Sequence, residues 1–125
     1  MDNVTPLFPT PGPSPRTPRQ VAFDRPELNA ILGLYGRMVV AGLWRDYALE
    51  FDADRAVFSA YKRTSERPEA QIVKCPALMR RQGAWMLVGQ TGSVLKRGHE
   101  LEPLLRLLER RLIKLVDAQT LIVSD

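Results

Sequence analysis

The stretch ELEPLLRLLERRLIKLV, residues 100–116, decides the fold because the rest of the chain is expected to pack against it. Its leucines recur three and four positions apart, which places them on one stripe of an α-helix. Burying six leucine side chains stabilises a protein by roughly 9–18 kcal/mol before conformational entropy is subtracted. Such a helix needs an apolar partner surface, and the strand-like segments before it are the candidate. The stripe comprises Leu101, Leu104, Leu105, Leu108, Leu112 and Leu115.

Length and composition predict a single small domain. The chain has 125 residues, of which 45% are hydrophobic, which is ordinary for one globular domain. No run approaches the ~18 apolar residues of a membrane span, and the first residues lack the charge and apolar core of a secretory signal. We therefore expect a cytoplasmic protein with no membrane partner. The single cysteine, Cys75, excludes an internal disulfide, and with one histidine it supplies too few ligands for zinc. No cofactor or metal is expected.

Charge is unevenly distributed along the chain. Residues 62–97 contain eight basic and two acidic side chains, whereas residues 24–54 contain three basic and six acidic ones. A basic segment of this kind favours an anionic partner such as nucleic acid. The alternative is a solvated sheet whose edge charges prevent aggregation, and a pI near 9.6 fits both.

The chain divides into a tail, a domain and a short C-terminal segment. Residues 1–20 hold six of the ten prolines, which predicts a disordered, extended tail. Such a tail acts as a tether or docks into an aromatic groove on a partner. The α+β domain is expected to span residues 21–117, and residues 118–125 form either a C-terminal tail or a short edge strand.

Local patterns predict the order of the elements. Asp24 and Glu27 have the spacing of a capping box at the start of a helix that ends near Gly42. From Arg45 the apolar period changes to two, and turn residues separate short alternating segments, which predicts hairpins. The expected fold is an N-terminal helix, a four- to five-stranded antiparallel meander sheet, and a C-terminal amphipathic helix packed on the sheet. The stripe of the first helix comprises Leu28, Ile31, Leu32, Tyr35, Met38 and Val39.

Four stretches of the chain form a distinctive pattern: FDRPELNAILGLYGRMVVAGLWRDYALEF, RAVFSAYKRTSERP, RRQGAW and TGSVLKRGHEL. They resemble a family of short bacterial proteins catalogued as a domain of unknown function. The resemblance covers roughly residues 23–115 and implies that the domain is whole. It implies no activity, cofactor or catalytic residue.

The candidate binding residues are basic or aromatic. Lys96, Arg97 and His99 precede the last helix, where free backbone N–H groups favour an anion. The alternative is that His99 is a cap or surface residue, because Glu100 and Glu102 in the same turn repel an anion.

Arg80 and Arg81 extend the candidate anion-binding set, and they lie close to an aromatic residue in the sequence. Trp85 follows them and, with Tyr61 on a neighbouring strand, is a candidate for stacking a nucleic-acid base. The alternative is that both aromatic residues are core.

Three classes of function remain open. A non-catalytic interaction module, with an unknown protein partner or self-association, leads because no nucleophile–base pair or metal shell is visible. A binder of nucleic acid or another polyanion through residues 62–97 is the alternative. A small enzyme or anion-ligand site around His99 is the third.

Removal of the tail tests the domain boundary. Limited proteolysis should cut before Gln20 and leave a core of about 105 residues, because proline-rich termini make few protective contacts. The core should unfold at the same temperature as the full chain in a thermal melt. A core that melts several degrees lower would show that the tail packs on the domain.

Overall fold

The computed structural model describes residues 20–63, 67–78 and 83–123. These residues form a helix, a five-stranded antiparallel sheet and a second helix, which is the α+β architecture that the sequence predicts. The elements are α1 (Arg25–Val40), β1 (Asp46–Phe51), β2 (Ala56–Tyr61), β3 (Ala70–Lys74), a 3-10 helix (Pro76–Leu78), β4 (Trp85–Gly89), β5 (Val94–Gly98) and α2 (Glu102–Val123).

Helix α1 begins at the predicted capping box. The Asp24 carboxylate accepts a hydrogen bond of 2.8 Å from the Glu27 backbone N–H. The Glu27 carboxylate accepts one of 2.8 Å from the Asp24 N–H. These bonds satisfy two donors at the helix start, and Pro26 in the first turn removes a third. At the other end Ala41 is the cap residue, one position before the predicted Gly42.

The sheet is the predicted meander. Its strand order is β1-β2-β3-β4-β5, and every neighbouring pair is antiparallel. Strands β1 and β5 are therefore the two edges, and order along the chain equals order across the sheet. Among the described strand pairs, the register shifts between Leu87 and Val88 of β4, opposite β5.

Both helices pack on the same face of the sheet, which we call the helix face. Helix α1 buries Ile31, Leu34 and Met38 there. The predicted α1 stripe was partly wrong, because it omitted the fully buried Leu34 and included Val39, which is 41% exposed. From the sheet, the same cluster includes Ala56, Phe58, Ala60, Ala70, Ile72, Trp85 and Leu87.

Helix α2 packs as predicted over its first three turns and then passes the sheet. Leu101, Leu104, Leu108 and Leu112 are buried, whereas Leu115 is 50% exposed, contrary to its place in the predicted stripe. Helix α2 continues to Val123, so residues 118–123 are helical. The helices are also joined by a paired hydrogen bond from Arg37 to the Glu109 carboxylate, at 3.0 and 3.2 Å.

Two groups of predictions lie outside the described residues. They concern the proline-rich tail, residues 1–19, and the basic pair Arg80 and Arg81. The domain boundaries therefore stay predictions.

Two glycines bring the backbones of β5 and the segment before β4 together. Gly83 has φ of +92°, and a Cβ placed on it would lie 2.2 Å from the Gly98 carbonyl oxygen. No side chain fits at that distance, and the obstacle is a backbone atom that cannot rotate away. Gly92 also has a positive φ, +87°, but its Cβ position is open.

Alanine substitutions at Gly83 and Gly92 should separate the cost of backbone strain from the cost of the close contact with Gly98. Gly92→Ala should cost about 1–2 kcal/mol, the usual penalty for an L-residue in this conformation. Gly83→Ala should cost about 3–5 kcal/mol, because the clash with Gly98 is added to the same strain. Urea unfolding measures both changes. Equal losses of unfolding free energy would contradict the backbone contact.

Candidate functional site

The predicted residues Lys96, Arg97 and His99 lie together at the start of α2. With Gly98 and Glu100 they line a shallow cavity of about 270 Å³, which we call the β5 pocket. Its basic side chains are exposed, so water screens their field. Glu100 adds a negative charge to the same lining, which lowers the attraction for a multiply charged anion.

The predicted stacking pair does not form one surface. Trp85 is 5% exposed and lies on the helix face, where its ring stacks on Phe23 with centroids 6.0 Å apart. Tyr61 belongs to the opposite face by strand alternation, because its neighbour Ala60 is in the helix-face cluster. The aromatic residues are thus separated by the sheet.

Lys74, a member of the basic segment, is used inside the fold. Its ammonium donates to the Glu27 carboxylate at 2.7 Å and to the Ala22 carbonyl at 2.9 Å. It also lies 5.8 Å from the centroid of the Trp85 ring, within cation–π range. Lys74 therefore fastens the start of α1 to the sheet.

The Asp52 carboxylate also has a structural role. It accepts hydrogen bonds of 2.8 Å from the backbone N–H groups of Asp54 and Arg55, in the turn between β1 and β2. These bonds favour the charged form and hold the pKa of Asp52 below its usual value. The carboxylate thus stabilises the turn.

Tyr35 of α1 packs against Tyr47 of β1, and burial is the main cause that raises the pKa of its hydroxyl.

A second cavity lies at the far end of the sheet, beneath α2. It has a volume of about 450 Å³, and we call it the Trp44 pocket. Trp44, in the connection between α1 and β1, is 1% exposed, and its Nε1–H has no hydrogen-bond partner among the described atoms. The sequence reasoning missed this site, although LWRD between a helix and a strand was its visible signal. The lining residues are Leu43, Trp44, Lys62, Arg63, Glu69, Gln90, Leu112 and Leu115.

The sheet surface opposite the helices, which we call the open face, carries a second apolar cluster. Val57, Val73 and Val88 form it, with Met86 packed against them. Among the described residues, no helical residue joins this cluster. Sequence reasoning did not identify this face, because side chains from five strands meet only when the register is known.

Strand pairing arranges the open face in rows. The central row crosses all five strands and places a carboxylate on one edge and a guanidinium on the other. It runs through Glu50, Val57, Val73, Met86 and Arg97. The second row runs beside it through Ala48, Ser59, Gln71, Val88 and Val94.

The ends of the central row follow from alternation along the edge strands. Glu50 lies between Leu49, which packs on the helix-face cluster, and Phe51, and so points to the open face. Arg97 precedes Gly98, whose Cβ position faces Leu104 of α2. Alternation along β5 therefore directs the Arg97 side chain to the open face, although the residue also contributes to the lining of the β5 pocket at that edge.

Neither a metal site nor a membrane span is found within the part of the chain that the structure describes. No group of three or more His, Cys, Asp or Glu side chains is arranged to hold a metal ion there. No helix among those residues is long and apolar enough to cross a bilayer.

Comparison with known proteins gives one match. The model of a family described as "Protein of unknown function (DUF2794)" matches residues 21–105 and confirms the resemblance seen in the sequence. No curated protein and no solved structure matched the chain. The matched segment holds α1, all five strands and the first turn of α2, so the open face lies within it.

Replacing Lys74 should show that its role is structural. Lys74→Met should cost about 1–3 kcal/mol of unfolding free energy, because the Glu27 carboxylate is only 22% exposed and loses its cationic partner. Arg106→Ala, which removes an exposed pair with Glu102, should cost less than about 0.5 kcal/mol. Chemical denaturation measures both. A Lys74→Met protein as stable as the wild type would contradict the assignment.

Proposed function

The chain belongs to this family of unknown function, and we propose that it is a non-catalytic interaction module that pairs with a second copy through its open face. The central row carries the proposal. An apolar stretch is bounded by Glu50 on one edge strand and Arg97 on the other, at the same level of the sheet. A surface of this kind is complementary to itself.

The complementarity follows from symmetry. A two-fold axis parallel to the strands, passing over β3, places β1 of one copy on β5 of the other. Glu50 then faces the other copy's arginine 97, Val57 faces methionine 86, and Val73 lies on the axis against its own equivalent. Each dimer contains the charge pair twice, as expected for an isologous interface. Two sheets packed in this way lie about 10 Å apart, with strands rotated by about 30°.

The size of the surface predicts a weak association. Five strands at about 4.8 Å spacing, each about five residues long, cover an area of roughly 19 by 17 Å. That area is at or below the low end of specific interfaces, which favours transient pairing with a micromolar dissociation constant. Val57, Val73 and Val88 are buried in the single copy, at 5–8% exposed, and so add little new buried area in a dimer. Most of the additional apolar contact comes from Met86 and from Val94, which is 44% exposed.

Cellular context is part of the same proposal. We place the pairing in a bacterial cytoplasm, where the single cysteine, Cys75, needs no partner. Cell fractionation of the source organism with an antibody against the chain tests the location.

Charge reversal and mixing test the pairing. Glu50→Arg and Arg97→Glu should each weaken self-association at least about tenfold, because like charges then meet twice in each dimer. An equimolar mixture of the two variants should recover dimers, since every facing pair is again opposite in charge. Sedimentation velocity over a concentration series measures the dissociation constant. Within one chain, residues 50 and 97 are separated by the width of the sheet, so recovery cannot arise inside a monomer.

Arg106→Glu is the matched control, because it reverses an exposed arginine on α2, away from the open face. It should leave the dissociation constant unchanged. A wild-type chain that stays monomeric at hundreds of micromolar would overturn the proposal, as would variants whose mixture does not recover dimers.

The polyanion alternative makes a different prediction for the same proteins. Arg97→Glu should then weaken binding to single-stranded nucleic acid, and mixing with Glu50→Arg should not restore it. The logarithm of affinity should fall with the logarithm of salt by about 0.7 for each phosphate contacted. We expect the titration to stay flat, because Lys74 is engaged with Glu27, and Lys62 and Lys96 line two separate pockets.

A further inference from the structure

The Trp44 pocket combines a buried donor, exposed cations and an apolar wall at one end of the sheet. Its lining comes from the α1–β1 connection, the ends of β2 and β4, the start of β3, and α2. At about 450 Å³, its volume lies in the range of small-molecule sites. This convergence is independent of the open face and of the pairing proposed for it.

The buried donor is the Trp44 indole. Its Nε1–H has no acceptor among the described protein atoms, although the residue is 1% exposed. An indole nitrogen can only donate a hydrogen bond, and buried donors are nearly always satisfied. An acceptor oxygen brought by a ligand would satisfy it.

The cations indicate that this acceptor is negatively charged. Lys62 and Arg63 follow β2, line the pocket and are both exposed at its rim. Hydrogen bonds between ionised groups are shorter and stronger than neutral ones. A carboxylate would accept from the indole and the cations at once.

The remaining lining restricts the rest of the ligand. Leu43, Leu112 and Leu115 are apolar and fit a hydrocarbon tail. Leu115 is the leucine that α2 leaves 50% exposed, so a tail would cover surface that the fold does not. Lys62 and Arg63 against Glu69 give the lining a net charge of +1, which favours a ligand with one negative charge over phosphates and polyanions.

We propose that the Trp44 pocket binds a small apolar molecule that carries one carboxylate. The carboxylate sits between the Trp44 indole N–H and the Lys62 and Arg63 cations, and the apolar tail lies along the leucine wall of α2. A free organic acid and the carboxyl terminus of an apolar peptide share this chemistry.

Nuclear magnetic resonance of the full chain tests the site directly. The protein has two tryptophans, so its nitrogen–proton spectrum holds two indole signals, and Trp85→Phe assigns them. Hexanoate should shift the Trp44 signal with saturation and leave the Trp85 signal unchanged. Hexanamide, which keeps the acceptor and tail without the charge, should bind at least about tenfold more weakly. Inorganic phosphate should not shift the signal.

Matched variants distinguish binding in the Trp44 pocket from a general attraction of the carboxylate to positive charge. Lys62→Met should weaken hexanoate binding about five- to tenfold, whereas Lys96→Met, in the β5 pocket, should leave it unchanged. Leu115→Ala should weaken hexanoate but not acetate. All three side chains are exposed, so these variants should fold normally. Trp44→Phe removes the indole donor and should also weaken hexanoate binding. Trp44 is a core residue, so if the Trp44→Phe protein does not fold, the three surface variants decide the test.

The outcomes are distinct. A Trp44 signal that no carboxylate shifts at millimolar concentration overturns the site, as does equal binding of hexanoate and hexanamide or equal loss in the Lys62 and Lys96 variants. An acetylated dipeptide ending in leucine identifies the source of the carboxylate. Tighter binding of the dipeptide supports the site with a chain terminus as ligand, and tighter binding of hexanoate supports it with a free acid.

Discussion

Both helices bury their apolar stripes on one face of the same sheet, and this shared contact determines which surfaces are available for binding. Ile31 of α1 and Leu104 of α2 are fully buried in one cluster with residues of the sheet. The two helices therefore occupy the helix face. The remaining surfaces are the open face and the two ends, and both pockets lie where α2 begins or passes beyond the strands.

Charge counted along the sequence is a poor guide to a binding surface in this protein. Lys74 belongs to the most basic segment, yet it is held by Glu27, the Ala22 carbonyl and the Trp85 ring. Lys62 and Lys96 belong to the same segment, but they line pockets at opposite ends of the domain. The chain reverses direction between successive strands, so charged residues that are close in the sequence lie at different ends of the sheet. These three lysines of the basic segment are thus divided among a structural ion pair and two separate pockets.

Local patterns predicted the elements because local interactions form them. The capping box needs only Asp24 and Glu27, and the change of apolar period at β1 needs only alternate side chains on one strand. The errors have a different cause. Leu34 and Leu115 were misassigned because burial depends on where a partner surface begins and ends, and the sequence does not state how far the sheet reaches beneath α2.

The candidate sites were harder to predict for the same reason. Lys96, Arg97 and His99 are adjacent in the sequence, and their common pocket could be expected. The Trp44 pocket joins five separate segments, and the central row joins five strands, so both require the register before they can be recognised. In a meander, however, sequence order is also spatial order. The acidic segment, residues 24–54, therefore ends on the β1 edge, and the basic segment, residues 62–97, ends on the β5 edge. The difference in charge between the two halves of the sequence thus becomes a difference in charge between the two edges of the sheet. A two-fold axis parallel to the strands is the symmetry that places the acidic edge of one copy against the basic edge of another.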